Sequence, residues 1–467
     1  MIQLYDYQEK LGMDTRASLR GNKSTLVVLP TGGGKSYITA WMVKNGLAKG
    51  NTFYFCVHRR DLLTQMAGIF KKFNIPFGYI AAGRTYNPNL PVQICSIQTL
   101  ARRLERIPAP GVLIVDEAHF SCSPTYSDII DTYKKQGAFV IGKTATPWRM
   151  SGEGLGRHFS DMVQGPTVSD LMDGGFLSQY KMFAPSTPDL RGVKKQAGDY
   201  QEKALKTLMD VPSITGNAVT HYQKHADGKR AVAFCVSIDH SENVAMAFRA
   251  AGIMAVHVDY KTKPEDRTRA FKAFADGSVK VLTSVCIFSE GLDLASLVNQ
   301  DVCIDVAILL RPTKSLSMYL QQVGRALRKK DYPAIILDHA GNSREHGLPD
   351  DERDWTLDNW KKKKKSEESE EAEERVRQCP VCYAVHKPTP TCPECNHVYK
   401  VEAREIEERA GELEEVDVEE MRKRKKVEQG NANSVDKLTA LGQSRGYKNP
   451  AAWARHVYNA RVAKGMR

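Results

Sequence analysis

The chain has no apolar run approaching the roughly 18 residues of a membrane span, which excludes a helical membrane protein. Its start, Met1-Ile-Gln-Leu-Tyr-Asp-Tyr7, lacks a basic region followed by an apolar one, so no secretory signal is expected. Hydrophobic residues are 42% and aromatics 8%, enough to bury sizeable cores. Six of the ten cysteines (Cys56, Cys95, Cys122, Cys235, Cys286 and Cys303) lie singly in apolar runs and read as reduced core residues. A soluble, reducing, cytoplasmic setting is expected. Acidic residues are the scarcer charge: 55 Asp+Glu against 67 Lys+Arg, net +12. That balance favours a polyanionic partner, although a solvated basic surface has the same balance. A length of 467 residues suggests two to four domains.

What is present is organised around Leu29-Pro-Thr31-Gly32-Gly33-Gly34-Lys35-Ser36. An apolar run, Thr25–Leu29, precedes it and a helix-compatible run, Tyr37–Val43, follows. Strand, glycine turn and helix form the context of a phosphate-binding loop. Glycines let several backbone N–H groups point at one anion, and the helix N-terminus adds positive charge there. Lys35 would reach the β- and γ-phosphates of ATP, and the Ser36 hydroxyl would sit on Mg²⁺. The first glycine of the full pattern is replaced by Leu29.

Upstream, Gln8 in Leu4-Tyr-Asp-Tyr-Gln8 carries an amide that can read the two-sided edge of adenine, with an aromatic neighbour to stack on the base. Downstream, strands at Thr25–Leu29, Thr52–Val57, Val92–Ser96, Val112–Asp116 and Phe139–Thr144 alternate with helices such as Arg60–Phe73. This pattern predicts a parallel sheet covered on both faces, with ligands beyond the strands' carboxyl ends. Val112-Leu-Ile-Val-Asp116-Glu117-Ala118-His119 puts Asp116 at such an end. Asp116 suits Mg²⁺, and Glu117 is placed to orient and deprotonate the attacking water.

Together, Gly34-Lys35-Ser36 and Asp116-Glu117-Ala118-His119 resemble the superfamily 2 helicases and translocases of the DEAH-box type, in which the first Walker glycine is often absent. The resemblance implies two tandem RecA-like parallel-sheet lobes (α/β), with ATP and Mg²⁺ between them. It implies that Gln8 reads adenine, and that Val57–Gln65 (motif Ia) and Ser96–Leu100 (motif Ib) line a nucleic-acid strand. Lys143-Thr144-Ala145-Thr146-Pro147-Trp148-Arg149 resembles motif III, which couples hydrolysis to lobe movement.

From Met150 to about Pro188 the pattern loosens into loop. Helices are expected at Tyr200–Met209 and Ser213–Lys224, then a second alternating block with strands at Ala231–Val236, Ala255–Val258, Val279–Ser284, Val302–Leu309 and Ala334–Asp338. Within it, Thr283–Asp293 resembles motif V, implying nucleotide contacts at Gly291 and Asp293. Gln321-Gln-Val-Gly324-Arg325-Ala-Leu-Arg328 matches the fixed positions of motif VI. Arg325 and Arg328, three apart, would share one helix face and act as arginine fingers, with Gln321 beside them. The resemblance covers about Leu4 to Asp338.

Five lysines at Lys361–Lys365 and the acidic Glu367–Glu374 read as a solvated linker, or as an extra contact to nucleic acid. Cys379-Pro-Val-Cys382 and Cys392-Pro-Glu-Cys395 can offer four thiolates to Zn²⁺ in the closed geometry of a zinc ribbon. Asn396 tolerates the left-handed position after the second cysteine of such a knuckle; Tyr383 does so less easily. His386 and His397 are alternative ligands. Val401–Glu428 is charged and helix-compatible. Ser434–Arg467 mixes Tyr447, Trp453, His456 and Tyr458 with basic residues, either a binding tail or a small helical unit packed on its own aromatics.

The expected organisation is an ATP-binding lobe (1–180), a second lobe (181–345), a charged linker (346–375), a zinc ribbon (376–400) and a charged helical tail (401–467). The expected activity is an ATP-dependent helicase. DNA is favoured over RNA as partner because Thr144-Ala145-Thr146-Pro147-Trp148-Arg149 resembles the DNA repair and restriction-translocase branch. No nuclease motif is recognisable, which argues against a complete restriction subunit. A duplex translocase, an RNA helicase and a zinc-containing docking protein with a vestigial ATPase are the alternatives. A protein partner through the ribbon or tail is left open.

Overall fold

The computed structural model describes residues 2–148, 153–184, 190, 193, 195–196, 199–209, 212–285, 294, 298, 300, 302–359, 376–399, 427–445 and 450–463. They fall into two units, Met1–Tyr399 and Lys400–Arg467.

The first lobe runs α1 (Asp6–Gly21), β1 (Ser24–Val28), α2 (Lys35–Leu47), β2 (Phe53–Val57), α3 (Arg60–Lys72), β3 (Gly78–Ile80), β4 (Val92–Ser96), α4 (Ile97–Ala101), β5 (Val112–Val115), α5 (Pro124–Lys135), β6 (Phe139–Thr144), β7 (Asp161–Gln164) and α6 (Val168–Asp173). Its seven strands are parallel, in the order β3-β4-β2-β5-β6-β1-β7. Every residue of β1, β2 and β5 is buried, as near-continuous apolar runs require when helices cover both faces. Helix α3 buries Leu62, Leu63, Met66, Ala67, Ile69 and Phe70 along one stripe. It stops where Asn74 turns left-handed, with φ 54°.

The second lobe runs β8 (Tyr180–Phe183), a two-stranded ribbon of β9 (Lys195–Gln196) and β10 (Asp199–Tyr200), α7 (Glu202–Met209), α8 (Pro212–Ala226), β11 (Ala231–Phe234), α9 (Ile238–Ala250), β12 (Ala255–His257), α10 (Pro264–Ala275), β13 (Val281–Ser284), β14 (Val306–Leu309), α11 (Leu316–Ala326), β15 (Ala334–Asp338), α12 (Asn342–His346), β16 (Arg377–Gln378) and β17 (Ala384–His386). Its sheet order is β12-β13-β11-β14-β15-β8-β17-β16. The first six strands are parallel; β17 and β16 are added antiparallel. The cysteine-bearing segment is therefore an extension of this sheet. Cys379, Ala384 and Cys392 pack into the same core cluster as Phe183, Ile335 and Leu337.

Two expectations change. Residues 150–188 were expected to be loop, but they contain β7, α6 and all of β8. Strand β7 is only half-buried and lacks alternation, so it carries no readable period. The segment after α12, expected as a solvated linker, first returns to the first lobe. There Trp355 and Leu357 pack against the core around Leu155 and Phe159. Trp148 Nε1 donates to Thr356 O at 3.1 Å, and Gly156 N donates to Leu357 O at 2.9 Å. The lysine and acidic runs, Lys361–Lys365 and Glu367–Glu374, lie outside the described residues, as does most of Val401–Glu428.

In the second unit, α13 (Val435–Ser444) and α14 (Pro450–Ala463) close on Leu438 and Ala454, with Trp453 and Tyr458 against them. That is the self-packed helical unit. Among the described residues no helix is long and apolar enough to cross a membrane.

Candidate functional site

The phosphate-binding loop leaves β1 at its carboxyl end and enters α2 at Lys35. Gly32 (φ 91°) and Gly34 (φ 86°, capping α2) hold the left-handed backbone that curls the loop. Leu29, at the missing glycine position, is fully buried beneath it; a Cβ on Gly33 would lie 2.8 Å from its Cγ. Lys35 Nζ donates to Leu29 O (2.9 Å) and Pro30 O (3.2 Å). Burial pushes the Lys35 ammonium down to about 8, while the carboxylates of Glu117 and Asp116 pull the other way.

Gln8 is buried against this loop. Its Nε2 donates to Gly33 O at 3.3 Å, and its Oε1 accepts from Tyr5 N at 3.1 Å. The Tyr7 hydroxyl donates to the same Gly33 carbonyl at 3.0 Å. Tyr5 and Tyr7 pack on Phe176 with ring centroids 4.7 and 4.9 Å apart. Phe176 went unnoticed in the sequence because it lies in the stretch read as loop.

Asp116 and Glu117 follow β5 directly. Glu117 is buried and left-handed, with φ 49°, a strained setting for a side chain with a Cβ. His119 Nδ1 lies 3.4 Å from Glu117 Oε2 and 3.3 Å from Thr144 Oγ1, which itself donates to Thr146 O at 2.7 Å. His119 thus ties the acidic motif to Thr144-Ala145-Thr146. Lys143, on β6, was read only as the start of motif III. It is 1% exposed, with Nζ 3.5 Å from Asp116 Oδ1.

The second lobe meets this site through α11. Gln321 Nε2 donates to Glu117 Oε2 at 3.3 Å. Gly324 presses on Thr31, whose Cβ would lie 2.6 Å from an added Cβ. Arg325 is 3% exposed, and its charge opposes that of Lys35 in the same cleft. Arg328 does not share its helix face: α11 ends at Ala326, and Arg328 instead bridges Leu177 through the backbone. The leucine at 327 already leaves helical geometry, so the three-residue spacing no longer aligns the pair. Gly291, Asp293 and Arg149 lie outside the described residues. The structure brings Gln8, Thr31–Ser36, Asp116, Glu117, Gln321 and Arg325 into one interlobe cleft. The Ser36 hydroxyl and Asp116 carboxylate are the hard oxygen donors that Mg²⁺ takes.

On the first lobe, motifs Ia and Ib face one cavity of about 520 Å³. His58, Arg60, Thr64, Ser96, Gln98 and Arg102 line it. Tyr79 and Arg84 complete it, the guanidinium 5.1 Å from the ring centroid. Both come from β3 and its exit, a strand the sequence reading did not include. Asp61 of motif Ia is paired with Arg267 of α10 at 3.2 Å, a further link between the lobes.

The four sulfurs of Cys379, Cys382, Cys392 and Cys395 lie within 4.8 Å of one another. Two equivalent knuckles hold them: Tyr383 N donates to Cys379 O and Asn396 N to Cys392 O, each at 2.9 Å. Both Tyr383 (φ 62°) and Asn396 (φ 57°) are left-handed. Burial opposes ionisation of Cys379, but the N–H groups of Cys382 and Val381, together with the thiols of Cys395 and Cys382, take it down to about 6. This donor set fits a structural zinc ion. His386 is turned to Lys387 O and the Tyr399 hydroxyl, and His397 does not join the cluster.

Residues 1–149 match the family described as "Type III restriction enzyme, res subunit", and residues 212–330 match "Helicase conserved C-terminal domain". A "51.5 kDa protein" of Lactococcus phage (isolate 7-9) is 31% identical over 430 residues, covering 91% of this chain and 89% of that one. The candidate ATP-dependent helicase IRC3 of Saccharomyces cerevisiae is 31% identical over 71% of this chain; the chain spans about half of that protein, 51%. The DNA 3'-5' translocase XPB2 of Sulfurisphaera tokodaii is 25% identical over 72% of this chain and 81% of its own. In fold, the chain is similar to a fragment of a candidate HsdR subunit of a type I restriction enzyme from Vibrio vulnificus YJ016. The TM-score is 0.56 at 19% identity, covering 74% of this chain and 65% of that one. With both lobes matched and the phage relative covered along most of its length, the chain belongs to the superfamily 2 helicases and translocases, in their restriction-like branch.

Proposed function

We propose that this protein is a DNA-dependent ATPase that uses hydrolysis in the interlobe cleft to move along DNA and separate its strands. The observation that carries this reading is the convergence of Lys35, Glu117, Gln321 and Arg325 across the cleft, beside a basic cavity on one lobe. Gln8 and the Tyr5–Tyr7–Phe176 cluster hold the base of ATP, and the curled loop with Lys35 holds its phosphates. Ser36 and Asp116 would hold Mg²⁺, which when bound would neutralise charge on those phosphates. Glu117 takes the proton of the attacking water while Gln321 orients it. Arg325 stabilises the charge that grows on the transferred phosphoryl group.

Loss of the γ-phosphate removes what Lys35 and Arg325 share, so the lobes part. Arg60, Arg84 and Arg102 grip phosphates on the first lobe, which makes binding tolerant of sequence and sensitive to salt. DNA is favoured because the Sulfurisphaera relative is a DNA translocase and because Thr144-Ala145-Thr146-Pro147-Trp148-Arg149 resembles the DNA repair and restriction-translocase branch. The four cysteines hold one structural zinc ion at the sheet edge. A reducing, cytoplasmic setting fits the six cysteines that lie singly in apolar runs of the sequence.

ATPase rates with single-stranded DNA, duplex DNA and RNA test the reading. Stimulation by DNA is expected; stimulation by RNA alone removes it. The relative that is a translocase favours a second reading, movement on duplex DNA without unwinding. ATP hydrolysis on a labelled fork with no strand release supports that alternative.

A further inference from the structure

The least expected group in the cleft is Lys143. It sits in the interior of the first sheet, 1% exposed, on a strand whose neighbours Val140 and Ile141 are apolar core. A buried ammonium is costly unless a charge compensates it. Lys143 Nζ has no hydrogen-bond partner among the described residues; what it approaches is Asp116 Oδ1 at 3.5 Å and the face of Phe55 at 4.7 Å. Phe55, in the middle of β2, closes the far side, so the ammonium is held between a ring and a carboxylate.

Lys35 and Arg325 are the other cations in the cleft. Lys35 donates to the carbonyls of Leu29 and Pro30. Glu117 is bonded to Gln321 and lies beside His119. Lys143 faces Asp116 directly, at 3.5 Å. We propose, on the ATPase reading above, that Lys143 is a positioning residue for Asp116. It fixes one carboxylate oxygen and balances the Asp116–Glu117 pair, so that a divalent cation enters only together with nucleotide.

The physical logic is one of charge. Asp116 and Glu117 are adjacent carboxylates in a low-dielectric cleft, a pair that attracts a divalent cation by itself. A fixed positive charge at van der Waals range of Asp116 opposes a bare divalent ion. It is outweighed once the phosphates of ATP arrive with the metal. A positioning lysine also leaves the other oxygen of Asp116 as an acceptor.

Nucleotide-free Mn²⁺ binding, read by electron paramagnetic resonance on the full chain, tests this. Lys143→Met is expected to bind Mn²⁺ about tenfold more tightly than the unaltered protein, or more. Adding Asp116→Asn to Lys143→Met is expected to erase the gain. Unchanged Mn²⁺ affinity in folded Lys143→Met overturns the inference. If Lys143→Met lowers soluble yield, the double variant is expected to restore it, because the single change leaves a carboxylate without its partner; failure to restore yield also overturns it. Binding of a fluorescent ATP analogue with Mg²⁺ to the unaltered protein separates the two levels. No nucleotide binding removes the ATPase reading, whereas nucleotide binding with no Mn²⁺ change in Lys143→Met removes the Lys143 role alone.

Discussion

Gln321 Nε2 stands 3.3 Å from Glu117 Oε2, although 204 residues of chain separate them. The contact joins a helix of the second lobe to the strained turn after β5 in the first. Glu117, left-handed and buried, is held from two sides, by Gln321 and by His119. A carboxylate so constrained is oriented before substrate arrives, which suits a general base.

Glu117→Gln keeps the size of the side chain but removes its basicity. The expected result is a loss of about 10²–10⁴-fold in kcat with ATP binding retained. Lys35→Ala is expected to lose both turnover and affinity, because the ammonium serves ground and transition states alike. Steady-state ATPase with parallel nucleotide-binding titrations separates the two patterns. Normal hydrolysis in either variant removes the proposed mechanism.

Arg325 is buried in the cleft and shares its field with Lys35. Arg325→Ala is expected to slow hydrolysis by about 10³-fold or more while leaving DNA affinity without nucleotide unchanged. A rate within tenfold of the unaltered protein in single-turnover assays counts against an arginine finger.

Arg60 and Arg102 line the first-lobe cavity. Arg60→Ala and Arg102→Ala are each expected to weaken DNA binding equally across sequences. Each should reduce the slope of log K against log salt by about one. Fluorescence anisotropy at several salt concentrations measures this; an unchanged slope places the strand elsewhere.

At the cysteine cluster, Tyr383 is left-handed (φ 62°) and 38% exposed, so its conformation is strained while its burial is small. In zinc-loaded protein, Tyr383→Gly is expected to stabilise by about 1 kcal/mol and Tyr383→Val to destabilise. Cys379→Ser is expected to lower zinc content and also the thermal midpoint of the second lobe, because β17 pairs with β8 in that lobe's sheet. Metal analysis and calorimetry report both.

His339 is buried, and its two ring nitrogens have no hydrogen-bond partner among the described residues. Burial, with His221 adding repulsion, pushes its pKa down from 6.5 to about 3. The folded state therefore holds His339 neutral, while the unfolded chain takes up a proton below pH 6.5. Its stabilising contribution is complete above pH 6.5 and is lost as pH falls toward 3, with a slope of about 1.4 kcal/mol per pH unit. His339→Leu is expected to flatten the acid limb of a stability–pH curve by that slope. An unaltered limb shows that other groups set it.

Local chain chemistry made much of this protein legible in its residues. Apolar runs ending in Gly32–Gly34, in Asp116–Glu117 and in Thr144 marked strand ends, and the carboxyl ends of parallel strands are where ligands sit. The cysteine spacing marked its cluster, because a four-thiolate site needs two short knuckles. Tertiary structure decided the rest. It turned Arg328 off the end of α11, placed Tyr79 and Arg84 in the groove, sent Trp355 and Leu357 back to the first lobe and joined the cysteine hairpin to β8. It also buried Lys143 against Asp116 and set Gln321 on Glu117. Motif residues owe their places to neighbours a few positions away, and so they show in a linear pattern. These other relationships link segments far apart along the chain, where packing and burial choose partners and no local periodicity records the choice.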